Sequence, residues 1–295
     1  MPTSKTGVKV KNRRLDMKDP VLNAVSNHVH LLGAEALDLT LDIEEAVCPI
    51  FWTLRKPTKP EQTGSGVFVE IKGQYFVFSA SHVFDEIGEY QLLMAVKGEE
   101  RLISFSGERF STGRGASGTH VDDPIDASVF HIQSEIPESV KKVALKLDDL
   151  DSSAEDPYHS MYVMSGFRSK KSKTHGNETN SERESYASIE LSLENYDIFS
   201  IDRNRQLILA YDDERYVNGE WQKTPVPAGF SGGAIFKIDG LSTMPLFIRS
   251  SMPKPLLSSI IIEHKRGRDN KPGILVGTKI STHLALVQKY LPEIM

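Results

Sequence analysis

The sequence predicts an all-β fold, a sandwich or a barrel, with a helix near each end of the chain. Three observations predict it. From residue 45 onward, short runs rich in Val, Ile, Phe and Tyr recur between clusters of Gly, Pro, Asn and Asp. Helical patterns are few: an early segment of good helix formers and one amphipathic segment at the C-terminus. The composition is that of an ordinary folded chain, 295 residues with 39% hydrophobic and 25% charged. That length accommodates about two domains or one large β domain.

Residues 1–44 read as an N-terminal arm and a short helix. The first nineteen are polar and basic (Lys5, Lys9, Lys11, Arg13, Arg14, Lys18), a solvated tail. Asp19-Pro20 is a helix start, with Asp as cap and Pro at the first helical position. His28 and His30 follow as His-x-His, without an acidic or Cys partner at ligand spacing. The strand runs are 46–52, 66–71, 74–80, 90–96, 127–132, 160–166, 186–193, 206–211, 232–238, 258–264 and 273–280. Lys72-Gly73 turns a hairpin between the second and third of these. Residues 107–125 and 168–185 read as long loops, the latter nearly devoid of apolar residues and thus an exposed insertion. Leu284, Val287 and Leu291 at i, i+3, i+7 give an amphipathic helix over 281–291, with Ser281 or Thr282 as its cap.

The same residues exclude several classes. A net charge of −5 gives no reason to expect a nucleic-acid partner. No apolar stretch approaches the length of a membrane span, so no membrane partner is expected. The basic N-terminus has no apolar segment behind it, unlike a secretory signal. A single cysteine rules out an intramolecular disulfide, and Cys48 in its apolar run reads as a small buried hydrophobe. The compartment expected is the cytoplasm. No metal or cofactor is expected.

Three short motifs can carry chemistry. In Gly229-Phe230-Ser231-Gly232-Gly233 a serine lies between glycines and precedes an apolar strand. A serine hydroxyl is a weak nucleophile until a base takes its proton. A glycine two residues before it lets the N–H groups of Gly229 and Ser231 converge on a developing oxyanion. In Ser79-Ala80-Ser81-His82 small residues leave the imidazole free to reach a neighbouring serine. In Asp126-Ala127-Ser128-Val129 an aspartate enters an apolar strand, where burial costs several kcal/mol (~2–7) unless hydrogen bonds compensate. A His N–H is such a partner and is itself held in one tautomer by it. Asp122 and Asp123 are rivals for that role but precede a proline and read as loop residues. Taken singly, each motif also fits a glycine-rich turn, a structural histidine or a capping aspartate.

Together, in the order His82, Asp126, Ser231 and spaced 44 and 105 residues apart, the motifs resemble those of the trypsin-like (chymotrypsin-fold) serine peptidases, in a disulfide-free, bacterial-type branch. Thr63-Gly64-Ser65-Gly66-Val67-Phe68-Val69 is similar to the strand entry upstream of the histidine in bacterial members. Pro272–Ser281, followed by a helix, is similar to the family's last strand and terminal helix. The resemblance covers about residues 45–291. It implies two antiparallel six-stranded β-barrels, at about 45–145 and 155–280, before the helix at 281–291. It also implies a serine endopeptidase acting on a protein or peptide substrate. His82 would be general base, Asp126 its orienting partner, Ser231 the acylated nucleophile, and Gly229 and Ser231 the oxyanion hole.

The chain also departs from the family. The residue before the serine is Phe230 rather than Asp, so the ion pair formed on zymogen cleavage is unavailable. The residue six before the serine, which sets much of the primary specificity in the family, is Pro225, followed by Val226; neither is a carboxylate, which puts a preference for Arg or Lys in doubt. Glu263 and His264 are candidates for contact with a substrate side chain. Lacking a zymogen pair and an export signal, such a peptidase is expected to be restrained by a regulatory protein partner or by the loops 107–125 and 168–185. Two alternatives remain at this level. One is a catalytically silent binding module on the same fold. The other is an α/β-hydrolase elbow using Ser231 with Asp269 and His283, which requires a helix after the serine.

Overall fold

The computed structural model describes residues 18–52, 60–85, 87, 91–153, 155–156, 159–169, 173–175, 178–217, 220–244, 252–268 and 271–294. The basic run 5–14 and Asp269 lie outside them. Helix α1 (Pro20–Thr40) starts as expected: Asp19 Oδ1 accepts the N–H groups of Val21 and Leu22 at 2.8 and 3.3 Å. It is not short, because it runs for 21 residues. Gly33 does not break it. A Cβ there would lie 3.2 Å from Ala187 Cβ, so the glycine lets the helix sit close against the sheet below.

The first six strands are β1 (Val47–Trp52), β2 (Glu61–Ile71), β3 (Gln74–Ala80), β4 (Gln91–Met94), β5 (Ile103–Ser111) and β6 (Ala127–Ile132). They form a closed antiparallel barrel in the order β1-β2-β3-β6-β5-β4. The β2–β3 hairpin turns at Lys72-Gly73, with φ +49° and +80°, the positive pair that a tight two-residue hairpin requires. Strand β5 takes up the beginning of the segment expected to be a loop at 107–125. Its period-two pattern, with Phe105 and Gly107 buried between exposed Ser104, Ser106 and Glu108, is the signature of a half-buried strand.

Helix α2 (Glu138–Val143) leads out of the barrel. There follow β7 (Ser160–Phe167), β8 (Lys173–His175), β9 (Glu178–Asn180), β10 (Arg183–Ile189), α3 (Leu193–Phe199), β11 (Gln206–Ala210), β12 (Glu214–Val217), β13 (Glu220–Lys223), β14 (Ala234–Ser242), β15 (Lys254–Lys265), β16 (Ile274–Lys279) and α4 (Ile280–Tyr290). Six of these strands make a second antiparallel sheet, ordered β10-β7-β14-β15-β16-β11. It curls until its edges meet at the Glu190–Leu209 bridge and the Leu191 N–H to Ile208 carbonyl bond of 3.1 Å. Numbered within each unit, the strands of barrel and curled sheet follow the same cyclic order, 1-2-3-6-5-4. This duplication of topology leaves no repeat in the sequence.

Three expectations need correction. The segment 168–185 holds the β8–β9 hairpin and the first residues of β10. The run 186–193 ends in α3, closed by Ser200 at φ +55°. Helix α4 begins at Ile280, and its N-cap Lys279 makes no side-chain cap, so neither Ser281 nor Thr282 caps it.

Alternation sorts the strands between two interiors. Phe68, Val77, Phe130 and Ile132 lie in the core of the first barrel, and Tyr162, Met164 and Ile235 in that of the second sheet. Their odd and even neighbours Val67, Val69, Phe76, Phe78 and Val129 join Met161, Val163, Phe236 and Ile260 in a shared core, closed by Ala36 of α1 and Leu286 and Val287 of α4. Strands buried on both faces read as nearly continuous apolar runs, which is why β7 and the first three residues of β14 show so little alternation in sequence. Cys48 belongs to the first of these interiors, 3% exposed, its thiol pushed up to about 12 by burial. Among the described residues no helix is long and apolar enough to cross a membrane.

Candidate active site

His82 sits where β3 ends. Ser81 opens a 3-10 turn (Ser81–Phe84), and its N–H and Oγ donate to the carbonyls of Asp126 and Ala127 at 3.1 and 2.7 Å. The turn is thereby fixed to the start of β6. Asp126 closes the arrangement from the other side. Its Oδ1 accepts the His82 backbone N–H at 2.9 Å and its Oδ2 lies 2.5 Å from His82 Nδ1. The carboxylate is an acceptor only, so Nδ1 carries the hydrogen and Nε2 keeps its lone pair. This is the side-chain hydrogen bond His82 makes among the described residues, and Nε2 is not engaged. Asp126 is 4% exposed and has φ +50°, a left-handed conformation that Asp and Asn tolerate better than other side chains.

The two groups shape each other's titration. Burial disfavours the His82 imidazolium, but the Asp126 hydrogen bond and charge outweigh it, helped by Asp85 and Glu263, and hold its pKa above 6.5. Burial also pushes Asp126 above the usual carboxylate range, against the pull of His82. Neither Asp122 nor Asp123 bonds to His82, although the charge of Asp123 adds to the rise at Asp126. Asp122 accepts the Ser117 N–H at 2.8 Å, and Asp123 accepts the Ile125 N–H at 2.9 Å and the Thr112 hydroxyl.

Ser231 comes from the loop before β14. This loop is tied to β2 of the first barrel: Ser65 N–H donates to the Ser231 carbonyl at 2.8 Å and Ser65 Oγ to that of Gly229 at 3.0 Å. A Cβ placed on Gly64 would stand 2.8 Å from the Ser231 carbonyl oxygen and 2.7 Å from Val83. The Ser231 backbone and the residue after His82 therefore flank one small gap. The N–H groups of Phe230, Gly232 and Gly233 donate to the carbonyls of Pro227, Ile261 and Phe230 at 3.0, 2.7 and 2.7 Å. Among the described residues, those of Gly229 and Ser231 donate to none, so the two expected oxyanion donors are the two left available. Gly229 holds this shape at φ +96° and Gly232 at φ +81°.

Gly232 is also a point where the two halves approach closely. A Cβ there would meet the Ser65 carbonyl oxygen at 1.9 Å and Ser79 Oγ at 2.2 Å. Left-handed backbone costs a non-glycine residue about 1–2 kcal/mol, and overpacking adds about 1–3. Gly232→Ala is expected to lower unfolding free energy by about 3 kcal/mol, read from the midpoint of denaturant unfolding. An unchanged midpoint would show that the halves do not meet at this residue.

Phe230, 1% exposed, lies against Gly166 and the Tyr186 ring, 6.0 Å between centroids. It anchors the loop with apolar contacts where an acidic residue would need a cation. Pro225 accepts the Tyr211 hydroxyl at 2.8 Å through its carbonyl, and Val226 is exposed. His264 packs edge-on to Tyr211, ring centroids 5.1 Å apart, and burial lowers its pKa. Glu263 is exposed and paired with Lys265 at 3.2 Å. Both lie on β15 just beyond Ile261, which exchanges hydrogen bonds with Gly232 and Gly233.

His283 is fully buried on α4 and faces the Ser79 carbonyl through Nε2 at 3.1 Å. Burial drives its pKa down to about 4, so it is a neutral prop beneath β3. The element after Ser231 is a strand, β14, which does not fit a nucleophile elbow. Sequence reasoning missed the bridging role of Ser65 and the pairing of buried His120 with half-buried Asp85, although a serine between two glycines and a histidine within a glycine-rich loop were visible. A separate cleft lined by Asp151, Asp156, Tyr162, Glu190, Arg203 and Lys279 contains neither His82 nor Ser231. No protein-family model and no curated protein matches this sequence, so the chemistry is read from these residues alone.

Proposed function

We propose that the chain is a serine endopeptidase of the trypsin-like kind, acting through an acyl-enzyme on Ser231. The observation that carries this is the double grip of Asp126 on His82, beside a loop whose Gly229 and Ser231 N–H groups are uncommitted. His82 Nε2 takes the Ser231 proton as Oγ attacks the scissile carbonyl, and the imidazolium then protonates the leaving amine. Asp126 keeps the ring in that tautomer and stabilises its charge. The two free N–H groups receive the oxyanion, an interaction worth about 3 kcal/mol per donor in such sites. Among the described residues Ser231 and His82 share no hydrogen bond, and in this mechanism that bond is one that is often long without substrate and forms fully when substrate binds. With no carboxylate at Pro225 or Val226, where the resemblance would place the residues that set specificity, there is no basis for selecting Arg or Lys.

A fluorophosphonate probe tests the reading, since it reacts with serines activated in this way. The intact chain is expected to label without prior proteolysis, because Phe230 anchors its loop without a newly made N-terminus. His82 must be neutral to act as base, and its pKa is raised. Labelling is therefore expected to rise with pH through a midpoint above 6.5. A folded wild-type protein that stays unlabelled at pH 8 would refute the proposal.

A further inference from the structure

The 3-10 turn that carries His82 is followed and capped by Asp85, and the loop that ends in Asp126 also carries His120. The second pair repeats the geometry of the first. Asp85 Oδ2 accepts the His120 backbone N–H at 2.9 Å, and its Oδ1 lies 2.6 Å from His120 Nδ1. His120 is 3% exposed, so this is no surface ion pair. Its Nε2 faces the Thr112 carbonyl at 3.2 Å, and with an acceptor at each ring nitrogen both must donate for the two contacts to be hydrogen bonds. Thr112 in turn holds the residue next to Asp126: its N–H donates to the Ala127 carbonyl at 2.9 Å, and its Oγ1 accepts the Ala127 N–H at 3.0 Å. The Asp85 N–H donates to the His82 carbonyl at 3.2 Å.

These contacts close a ring: His82, Asp126, Ala127, Thr112, His120, Asp85 and back to His82. The geometry points to Asp85 and His120 as a positioning pair that holds Asp126 in its left-handed conformation against His82. The assignment rests on the peptidase reading only in what the held imidazole is for. A strained residue persists where its surroundings over-determine it, and the ring supplies that constraint from both sides. Other charged groups face the assembly. Burial pushes Asp85 upward, but its hydrogen bonds from His120, helped by the charge of Arg109 of β5, draw it below the usual carboxylate range; Arg109 also donates to the Phe84 carbonyl at 2.8 Å. Asp123 accepts the Thr112 hydroxyl, and Glu263 of β15 adds its field at His82.

Two variants of the full chain separate geometry from charge. His120→Gln leaves the Asp85 carboxylate without its imidazole partner. By charge alone that raises the His82 titration midpoint. Loss of the Asp126 grip lowers it instead. Thr112→Val alters no charge and keeps the side-chain shape, so any fall there comes from geometry. The measurement is an NMR titration of the ¹⁵N-labelled His82 ring, together with its low-field Nδ1–H resonance. In both variants the midpoint is expected to fall by about one pH unit and the resonance to broaden. A midpoint that rises or stays put in either folded variant overturns the assignment. The readout needs no turnover. A wild-type protein inert to fluorophosphonate but showing these shifts would sink the peptidase reading alone, while normal labelling without the shifts would sink the positioning pair alone.

Discussion

Ser231→Ala is expected to lower peptide hydrolysis by about 10⁵–10⁶-fold, His82→Ala by a similar factor, and the double variant by no more than either alone. The argument is that base and nucleophile act as one unit. Without Oγ no acyl-enzyme forms, and His82 has nothing to deprotonate. Without the imidazole the hydroxyl keeps its proton and remains a poor nucleophile. What survives is catalysis by the Gly229 and Ser231 N–H groups acting on an attacking water, about 10³–10⁴-fold above the uncatalysed reaction. The loop does not depend on the hydroxyl for its shape, since it is held through the Ser231 and Gly229 carbonyls and the Gly232 and Gly233 N–H groups. Stability of Ser231→Ala should stay within about 0.5 kcal/mol of wild type. Steady-state rates of the two singles and the double on one peptide decide the matter. If the losses multiply, the residues act independently and the proposed mechanism fails.

What the sequence disclosed follows from the range of the interactions involved. The β2–β3 hairpin was legible because its information lies in two adjacent residues, Lys72 and Gly73, with the conformation that such a turn demands. The apolar runs of β3, β6 and β7 were legible because burial along nearly their whole length leaves few polar positions to blur them. Strand β5 was not singled out, since its exposed Ser104, Ser106 and Glu108 dilute the apolar signal. Nor was α3, whose short amphipathic turn continues straight from a strand-like run. His82, Asp126 and Ser231 could be named because each sits in a locally constrained motif. Ser65 and the Asp85–His120 pair could not, because their roles exist only across the fold: Ser65 meets Gly229 across 164 residues, and Asp85 meets His120 across 35. The common strand order of the two halves was hidden for a related reason. Pairing order is fixed by which faces must be buried together, and many apolar sequences satisfy the same requirement.

Asp126→Asn is expected to lower kcat by about 10⁴-fold while leaving the fold intact. Asn is nearly isosteric and tolerates φ +50° as well as Asp does, so the backbone has no reason to move. The loss comes from hydrogen-bond arithmetic. Asp126 serves two N–H groups of one residue, the His82 backbone at Oδ1 and Nδ1 at Oδ2. An amide offers one acceptor and one donor group. If its oxygen takes the backbone N–H, its NH₂ faces Nδ1, which must then accept, and the ring hydrogen moves to Nε2. A ring protonated at Nε2 cannot receive the Ser231 proton. If the amide turns over, its NH₂ meets the His82 backbone N–H, donor against donor, and the turn that carries the imidazole is pushed away. Neither orientation restores the base. The same substitution removes the largest influence that raises the His82 pKa and leaves burial, which lowers it. The acid limb of the pH–rate profile therefore moves to lower pH even as the plateau falls. Both changes come from one set of rate measurements between pH 5 and 9. A variant that keeps its activity within tenfold of wild type, or whose acid limb moves upward, would mean that His82 does not depend on Asp126 for its tautomer, and the double hydrogen bond would then be structural alone.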